Sequence, residues 1–118
     1  MTKFMEFIDE DKLAKGPLWK NFVSGDVTYQ MKPGDHIIIA TSDQNDGQAI
    51  ITLPSLAEAA GKFYYICAPT GASGGDISVY EKETGSELST YGDLDADDDH
   101  VLLFSDGRKW RVVLDGVA

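Results

Sequence analysis

The sequence is poor in cysteine, histidine and basic residues, and it has no long apolar run. Its 118 residues include one cysteine, Cys67, so an internal disulfide and a cysteine-based zinc cluster are excluded. No run approaches the roughly 20 apolar residues that a membrane span needs, and acidic residues follow the first four residues where a signal peptide has its apolar core. We therefore expect one soluble, unexported domain with no membrane partner.

Acidic residues outnumber basic residues two to one. The chain has ten lysines and arginines and twenty acidic residues, which gives a formal net charge of −10. Such a field repels phosphate backbones and anionic membrane surfaces, so we expect no nucleic-acid partner. No lysine or histidine array surrounds Cys67 in the sequence, and we expect this residue to be a small buried hydrophobe inside a strand.

Residues 1–24 differ from the rest of the chain, because bulky apolar side chains alternate there with charges and Gly16-Pro17 interrupts any long helix. Two interpretations remain open: a non-β arm that docks on another protein, or a strap across the core of the domain itself. In the first interpretation the docking residues are the following: Phe4, Phe7, Ile8, Leu18, Trp19 and Phe22.

Residues 25–118 have the pattern of a single β-domain, with short apolar stretches separated by turn residues. Pro33-Gly34 suits the centre of a type II turn, and Asp106-Gly107 predicts a hairpin. A helix of one or two turns is expected at residues 55–60. The whole pattern predicts an all-β fold, either an antiparallel β-sandwich or a jelly-roll-like barrel.

Three strand sequences, HIIIA, AIITL and VLLF, are apolar at successive positions. Both faces of such strands need shelter from water. A single small sandwich shelters only one face of each sheet, so we expect the second face to be covered either by the N-terminal segment or by a neighbouring subunit.

Two separated stretches form a module. A strand ends in ITLP, an alanine-containing turn and Gly61-Lys62 follow, and the hairpin VLLFSDGRKW comes near the C-terminus. This succession resembles the β-domains of tailed-bacteriophage head fibres, capsid decoration proteins and tail fibres. Proline ends the strand, glycine frees the backbone, and the tryptophan closes the core. The principal motif and core positions are Ile51, Leu53, Pro54, Gly61, Asp106, Gly107 and Trp110.

The resemblance implies a non-enzymatic virion structural protein, a capsid decoration or head-fibre subunit. It implies assembly in the host cytoplasm onto the outer surface of the particle, as a homotrimer in contact with the major capsid protein or another virion protein, without a cofactor. A second hypothesis is a carbohydrate- or receptor-binding module of a tail fibre. Its stacking rings would be Trp19, Tyr64, Tyr80 and Tyr91.

The acidic stretch at residues 92–99 has calcium-like spacing. Asp93, Asp95 and Asp97 occupy the first, third and fifth positions of a calcium loop. The sixth position, which requires glycine, is Asp98, and the twelfth, which requires glutamate, is Phe104. We favour a solvated, mutually repelling loop, with these three carboxylates as a weak calcium candidate.

A third hypothesis is a metal-dependent β-barrel enzyme. His36 and His100 are the only histidines, so the several-histidine ligand set of a cupin-type centre is missing, although two histidines and a carboxylate would still make a facial triad. No serine lies in a nucleophile-elbow pattern, and the glycine-rich residues 71–75 lack the lysine of a phosphate loop. We expect no catalytic site and no metal site, with each histidine making local hydrogen bonds.

Overall fold

The computed structural model describes residues 17–22, 28–42, 48–69 and 76–117. These residues are mostly β-structure with one short 3₁₀ turn at Ser89–Gly92, and none of them is in an α-helix. The strands of this part of the chain are β1 (Leu18–Phe22), β2 (Thr28–Gln30), β3 (Ile37–Ser42), β4 (Gln48–Thr52), β5 (Phe63–Ala68), β6 (Asp76–Tyr80), β7 (Asp93–Leu94), β8 (Asp99–Ser105) and β9 (Trp110–Asp115).

The strands form a five-stranded sheet in the order β1-β3-β5-β8-β9 and a four-stranded sheet in the order β2-β4-β6-β7. From β1 to β6 each strand lies in the other sheet from the strand before it, so sheet neighbours are two elements apart and run parallel. Only the last three pairings, β5–β8, β6–β7 and β8–β9, are antiparallel. The prediction of an antiparallel fold was therefore wrong, because the short connections cross between sheets instead of reversing within one.

Neither sheet closes on itself in the described residues, so they form no barrel. One apolar cluster draws side chains from both sheets, and alternate residues of β5 and β8 point into it. Burying each of its aliphatic and aromatic side chains contributes about 1.5–3 kcal/mol. The largest fully buried members are Tyr64, Phe22, Met31, Ile38, Ile51, Leu53, Ile66, Ile77, Leu94 and Leu103.

The N-terminal region contributes an edge strand. β1 pairs in parallel with β3, with Leu18 beside Ile38 and Phe22 beside Ser42. The side chain of Phe22 is fully buried in the core. Residues 18–22 therefore belong to the five-stranded sheet and not to a non-β arm, and Phe22 is unavailable to a partner. The other predicted arm residues, Phe4, Phe7 and Ile8, lie outside the described part of the chain.

The Pro33-Gly34 turn forms, but it is not of type II. The backbone N–H of Asp35 donates to the carbonyl of Lys32 at 3.0 Å, which closes the turn. Gly34 is not among the glycines with positive φ, which are Gly61, Gly85 and Gly107 in the described residues, whereas a type II turn requires positive φ there. The hydroxyl of Tyr64 donates to the carbonyl of Pro33 at 2.7 Å and so holds the central peptide in its orientation.

The helix expected at residues 55–60 is reduced to a single turn. The N–H of Ala59 donates to the carbonyl of Ser55 at 3.0 Å. The Ser55 hydroxyl accepts from the N–H of Glu58 at 3.2 Å, as the side chain of a helix N-cap does, and donates to the Glu58 carboxylate at 2.9 Å. Gly61 then takes a φ of 78°, a left-handed conformation that ends the turn.

The hairpin predicted at Asp106-Gly107 is confirmed, with Ser105 paired to Trp110. The connection is four residues long, and Asp106 does not adopt the positive φ that a two-residue Asp-Gly turn requires; Gly107 does, at 90°. Instead, one carboxylate oxygen of Asp106 accepts the N–H groups of Arg108 and Lys109 at 2.8 and 2.7 Å. The aspartate thus works as an acceptor for the turn.

Candidate functional site: the outer face of the five-stranded sheet

The two halves of the sequence module meet in space. The N–H of Gly61 donates to the carbonyl of Ser105 at 2.8 Å, and the Ser105 hydroxyl donates to the carbonyl of Leu56 at 2.9 Å. A Cβ on Gly107 would lie 3.6 Å from the Cβ of Ala60, in ordinary contact. The module therefore joins the ITLP turn to the β8–β9 hairpin.

The module's side chains are structural. Ile51 and Leu53 are fully buried and Pro54 is buried beside them. Trp110 is 4% exposed and meets the ring of Tyr64 edge-on, with 5.7 Å between ring centroids. Its indole N–H is buried, and the described residues offer it no hydrogen-bond partner. These residues build the core and offer nothing to a partner, so the site has to be sought elsewhere.

The outer face of the five-stranded sheet presents mostly apolar side chains in register. The first row across the sheet is Trp19, Ile39, Cys67 and His100. The second row is Ile37, Tyr65, Leu102 and Leu114. The third row is Phe63, Phe104 and Arg111. We call these three rows the outer face.

None of the side chains of the outer face is buried. Phe63 and Phe104 pack with 4.9 Å between ring centroids, and Tyr65 lies 5.8 Å from the ring of His100. Both contacts join side chains of the neighbouring strands β5 and β8. An exposed contiguous apolar patch on a small domain marks a site of association. The expectation that these strands are apolar on both sides is confirmed for the five-stranded sheet.

The edge strands of this sheet are the most exposed part of its apolar surface. On β1, Leu18 is 38% and Trp19 is 69% exposed. On β9, Val113 and Leu114 are both 52% exposed. An aromatic side chain as exposed as that of Trp19 is unusual and is typical of binding surfaces. Of the predicted docking residues in the described part, Leu18 and Trp19 thus fit the role and Phe22 does not.

Cys67 lies in the outer face and is only half-buried. The prediction of a buried cysteine was wrong, because the strand alternation turns this residue outward between Ile66 and Ala68, both fully buried. Partial burial raises the pKa of the Cys67 thiol, while a hydrogen bond with Tyr65 opposes that rise. A thiol with a raised pKa is a poor nucleophile at neutral pH.

The acidic residues 93–99 do not converge. Asp93 is part of β7, whereas Asp95 and Asp97 are exposed in the following turn. No three histidine, cysteine or acidic side chains of the described residues are placed to hold a metal ion. The carboxylate of this stretch that stabilises the turn is that of Asp99, which the sequence pattern did not indicate. It is 1% exposed, and its carboxylate accepts the N–H of Ala96 at 3.0 Å.

The two histidines make the local contacts that were expected. His36 is 4% exposed, stacks on Tyr64 with 5.0 Å between centroids, and its Nδ1 lies 2.9 Å from the carbonyl of Phe63. His100 is on the outer face, with Nδ1 2.8 Å from the carbonyl of Asp98. The two rings therefore lie on opposite faces of the same sheet, in different registers.

The rings proposed for sugar stacking are dispersed. Tyr64 is fully buried and so cannot stack on a sugar. Trp19 and Tyr91 are exposed, but Trp19 lies on an edge of the five-stranded sheet and Tyr91 lies in the 3₁₀ turn that packs on the four-stranded one. Sugar sites use aromatic faces that converge on one ligand, and these two do not converge.

The chain matches no protein-family model, no curated protein sequence and no solved structure. Among the described residues there is no helix with the length and hydropathy to cross a bilayer.

Proposed function

We propose that this protein is a non-enzymatic structural subunit of a tailed-phage virion, of the capsid decoration or head-fibre type. The observation that carries the proposal is the apolar outer face, because an independent soluble domain gains nothing from one and an assembling subunit requires one. The resemblance of the ITLP and SDGRKW stretches to phage structural domains supplies the viral context. The location on the outside of the particle rests on that resemblance and on the acidic net charge, −10.

The fold supports a scaffolding role. Two open mixed sheets share one apolar cluster, and we assign this arrangement as a β-sandwich. The module residues connect the turns at one end of the sandwich, because hydrogen bonds join Gly61 to Ser105 and Ser105 to Leu56. Binding to a virion needs such a rigid surface and no chemistry.

The contact with the major capsid protein is proposed to involve the β1 edge together with residues 1–16. Trp19 and Leu18 are exposed there, and the sequence immediately before them contains Phe4, Phe7 and Ile8. A large aromatic side chain that becomes buried on binding is the usual energetic centre of an interface. The homotrimer that the resemblance implies stays a prediction.

Binding to particles assembled without this protein tests the proposal. The purified chain, mixed with such particles, is expected to co-sediment saturably, with a stoichiometry set by the particle's symmetry. Trp19→Ala should weaken binding by roughly tenfold or more, as loss of a central aromatic does. Tyr91→Ala removes another exposed ring, on the side of the four-stranded sheet, and should leave the binding constant unchanged.

Removing residues 1–16 should also weaken binding and leave the β-domain folded, because β1 begins at Leu18. Circular dichroism and thermal melting verify folding of each variant. The proposal fails if the wild-type chain does not bind the particles, or if Trp19→Ala and Tyr91→Ala reduce binding equally.

A further inference from the structure

In the described part of the chain, four strands form the edges of the two sheets: β1 and β9 in one, β2 and β7 in the other. An edge strand presents backbone N–H and C=O groups to which another chain can add a strand. β2 has three residues and β7 has two. β9 has a break in register between the partners of Leu102 and Leu103, which leaves Val113 out of the pairing. Only β1 is a regular edge, with five residues in continuous register.

β1 carries a charge on the side that faces the core. Lys20 lies beside Ala40 of β3, which is fully buried. The Nζ atom of Lys20 lies 5.4 Å from the ring centroid of Phe22 on β1 and 5.4 Å from that of Tyr29 on β2. The ammonium therefore sits at the side of the sandwich where the two sheets end in β1 and β2. An inward-pointing charge on an edge strand is one of the devices by which natural sheets prevent strand addition.

Lys20 is also the central residue of β1, which runs from Leu18 to Phe22. A two-fold axis perpendicular to the sheet would pair β1 with β1 of a second copy as antiparallel strands. In full register this pairing sets Lys20 directly opposite the same lysine of the other copy. Side chains in that position have Cβ atoms about 4.5–5.5 Å apart, and like charges there are destabilising. Both ammonium groups would also be enclosed between the joined sheets, away from water.

We propose that Lys20 prevents two copies of this chain from joining edge to edge through β1. Without this charge, the five-stranded sheets of two copies would continue into one another across the β1–β1 pair. The short strands β2 and β7 and the irregular strand β9 need no such charge, because their shape already limits strand addition. The inference is independent of the virion assignment, since it concerns the purified chain without particles.

Removal of the charge is the first test. Lys20→Met replaces the ammonium by an apolar group on a stem of similar length. Sedimentation velocity of the purified full-length chain, over a range of concentrations, should show self-association with a dissociation constant at least tenfold lower than that of the wild type. Lys32→Met removes the same charge from an exposed position in the Pro33-Gly34 turn. It is the matched control and should behave as the wild type does. Circular dichroism verifies folding of both variants.

Charge reversal tests the position of the lysine in the pair. Lys20→Glu alone should associate no more than the wild type, because a carboxylate would then lie opposite a carboxylate. An equimolar mixture of Lys20→Glu with the wild-type chain should form a complex with equal numbers of the two chains, because each lysine then lies opposite a glutamate. Native mass spectrometry distinguishes the two chains in that complex. The mixture decides the question even where Lys20→Met does not fold.

Three results would overturn the proposal. The first is a folded Lys20→Met chain that associates no more strongly than the wild type, since the β1 edge would then be closed to a second copy by something other than this charge. The second is equal association of Lys20→Met and Lys32→Met, because a lower net repulsion would then explain both. The third is a mixture of Lys20→Glu and wild-type chains that forms no joint complex, which would contradict the direct opposition of the two lysines.

Discussion

The two sheets share one core and differ in what they show to the outside. The outer face of the five-stranded sheet is aliphatic and aromatic, whereas the corresponding positions of the four-stranded sheet are mostly polar. The latter are Thr28, Gln30, Ile50, Thr52, Tyr80 and Asp93, together with Ser78, which is fully buried. Burying one face of each sheet satisfies folding. The apolar outer face of the larger sheet therefore needs a cover, which is either the N-terminal segment or a partner.

The difference between the outer sides of the two sheets can be seen in the sequence of each strand. In β3 and β8 apolar residues occupy both alternating sets, with Ile38 and Leu103 inside and Ile39 and Leu102 outside. In β2 the pattern is Thr, Tyr, Gln, with both polar residues exposed. The substitutions below test two differences. One is between the inner and outer side chains of the same sheet, and the other is between the outer sides of the two sheets.

Trp110→Ala is expected to have the largest effect. The ring is 4% exposed and packs edge-on against Tyr64, so truncation should lower the free energy of unfolding by roughly 3–5 kcal/mol. Denaturant titration measures the loss. Trp19→Ala, which removes the 69% exposed tryptophan of the same sheet, is the control and should cost less than about 1 kcal/mol. Similar losses for both would abolish the distinction between the inner and outer sides.

Two neighbouring leucines on β8 test the same contrast between inner and outer side chains of the five-stranded sheet. Leu103 is fully buried and Leu102 is half-buried on the outer face. Leu103→Ala should destabilise the domain by about 2–5 kcal/mol, and Leu102→Ala by about 1 kcal/mol or less. Denaturant titrations are done at a concentration at which the chain is monomeric. A large loss for Leu102→Ala under those conditions would mean that the outer face is covered within the chain.

The sequence predicted the strands better than their arrangement. Apolar alternation located β3, β4, β5, β8 and β9, and Asp-Gly located the hairpin, because these signals are local. It did not reveal that each connection from β1 to β6 crosses to the other sheet. Whether a short turn reverses a strand or carries it across a core depends on packing with distant residues, and no local pattern records that.

The candidate site was predicted in part. The doubly apolar strands indicate a second face in need of cover, and of the docking residues that the sequence suggests Leu18 and Trp19 are exposed. Phe22 was misassigned because the β1 sequence LWKNF does not alternate in polarity and so does not indicate that position 22 is inward and position 19 outward.

Adjacent tyrosines on β5 should respond differently to alkali. Burial, with the charges of Asp35 and Glu58, raises the pKa of Tyr64 above its ordinary 10.0. The neutral ring therefore stabilises the folded chain fully below pH 10, and this contribution is lost as pH rises further. Tyr64→Phe should lose about 0.5–1.5 kcal/mol at neutral pH with the hydrogen bond to Pro33, and its stability should fall less steeply above pH 10.

Tyr65→Phe is the comparison for that measurement: burial raises the pKa of Tyr65 as well, but this ring is only half-buried on the outer face, so its removal should change the alkaline slope less than Tyr64→Phe does. Its stability at neutral pH should stay close to that of the wild type. Chemical denaturation at a series of alkaline pH values gives both slopes. Equal slopes for Tyr64→Phe and the wild-type chain would contradict the assignment of the alkaline loss to Tyr64.

The smallest effect is expected at Asp106, on the hairpin that ends the five-stranded sheet. The N–H of Arg108, the side chain of Arg111 and the N–H of Lys109 hold the pKa of its carboxyl at about 2, against an ordinary 3.8. Because the folded-state pKa is lowered, the carboxylate stabilises the hairpin above pH 3.8 and that contribution disappears as pH falls toward 2.

Asp106→Asn keeps an oxygen for the two turn N–H groups and removes the charge that pairs with Arg111. Its stability should consequently depend less on pH in the acid range than that of the wild type, with a small loss at neutral pH because the pair is exposed. Asp95→Asn, another exposed carboxylate outside the hairpin, is the control and should keep the wild-type acid profile. If Asp106→Asn and Asp95→Asn behave alike, the charge on Asp106 contributes nothing to the hairpin, and its side chain serves only as an oxygen acceptor for the two turn N–H groups.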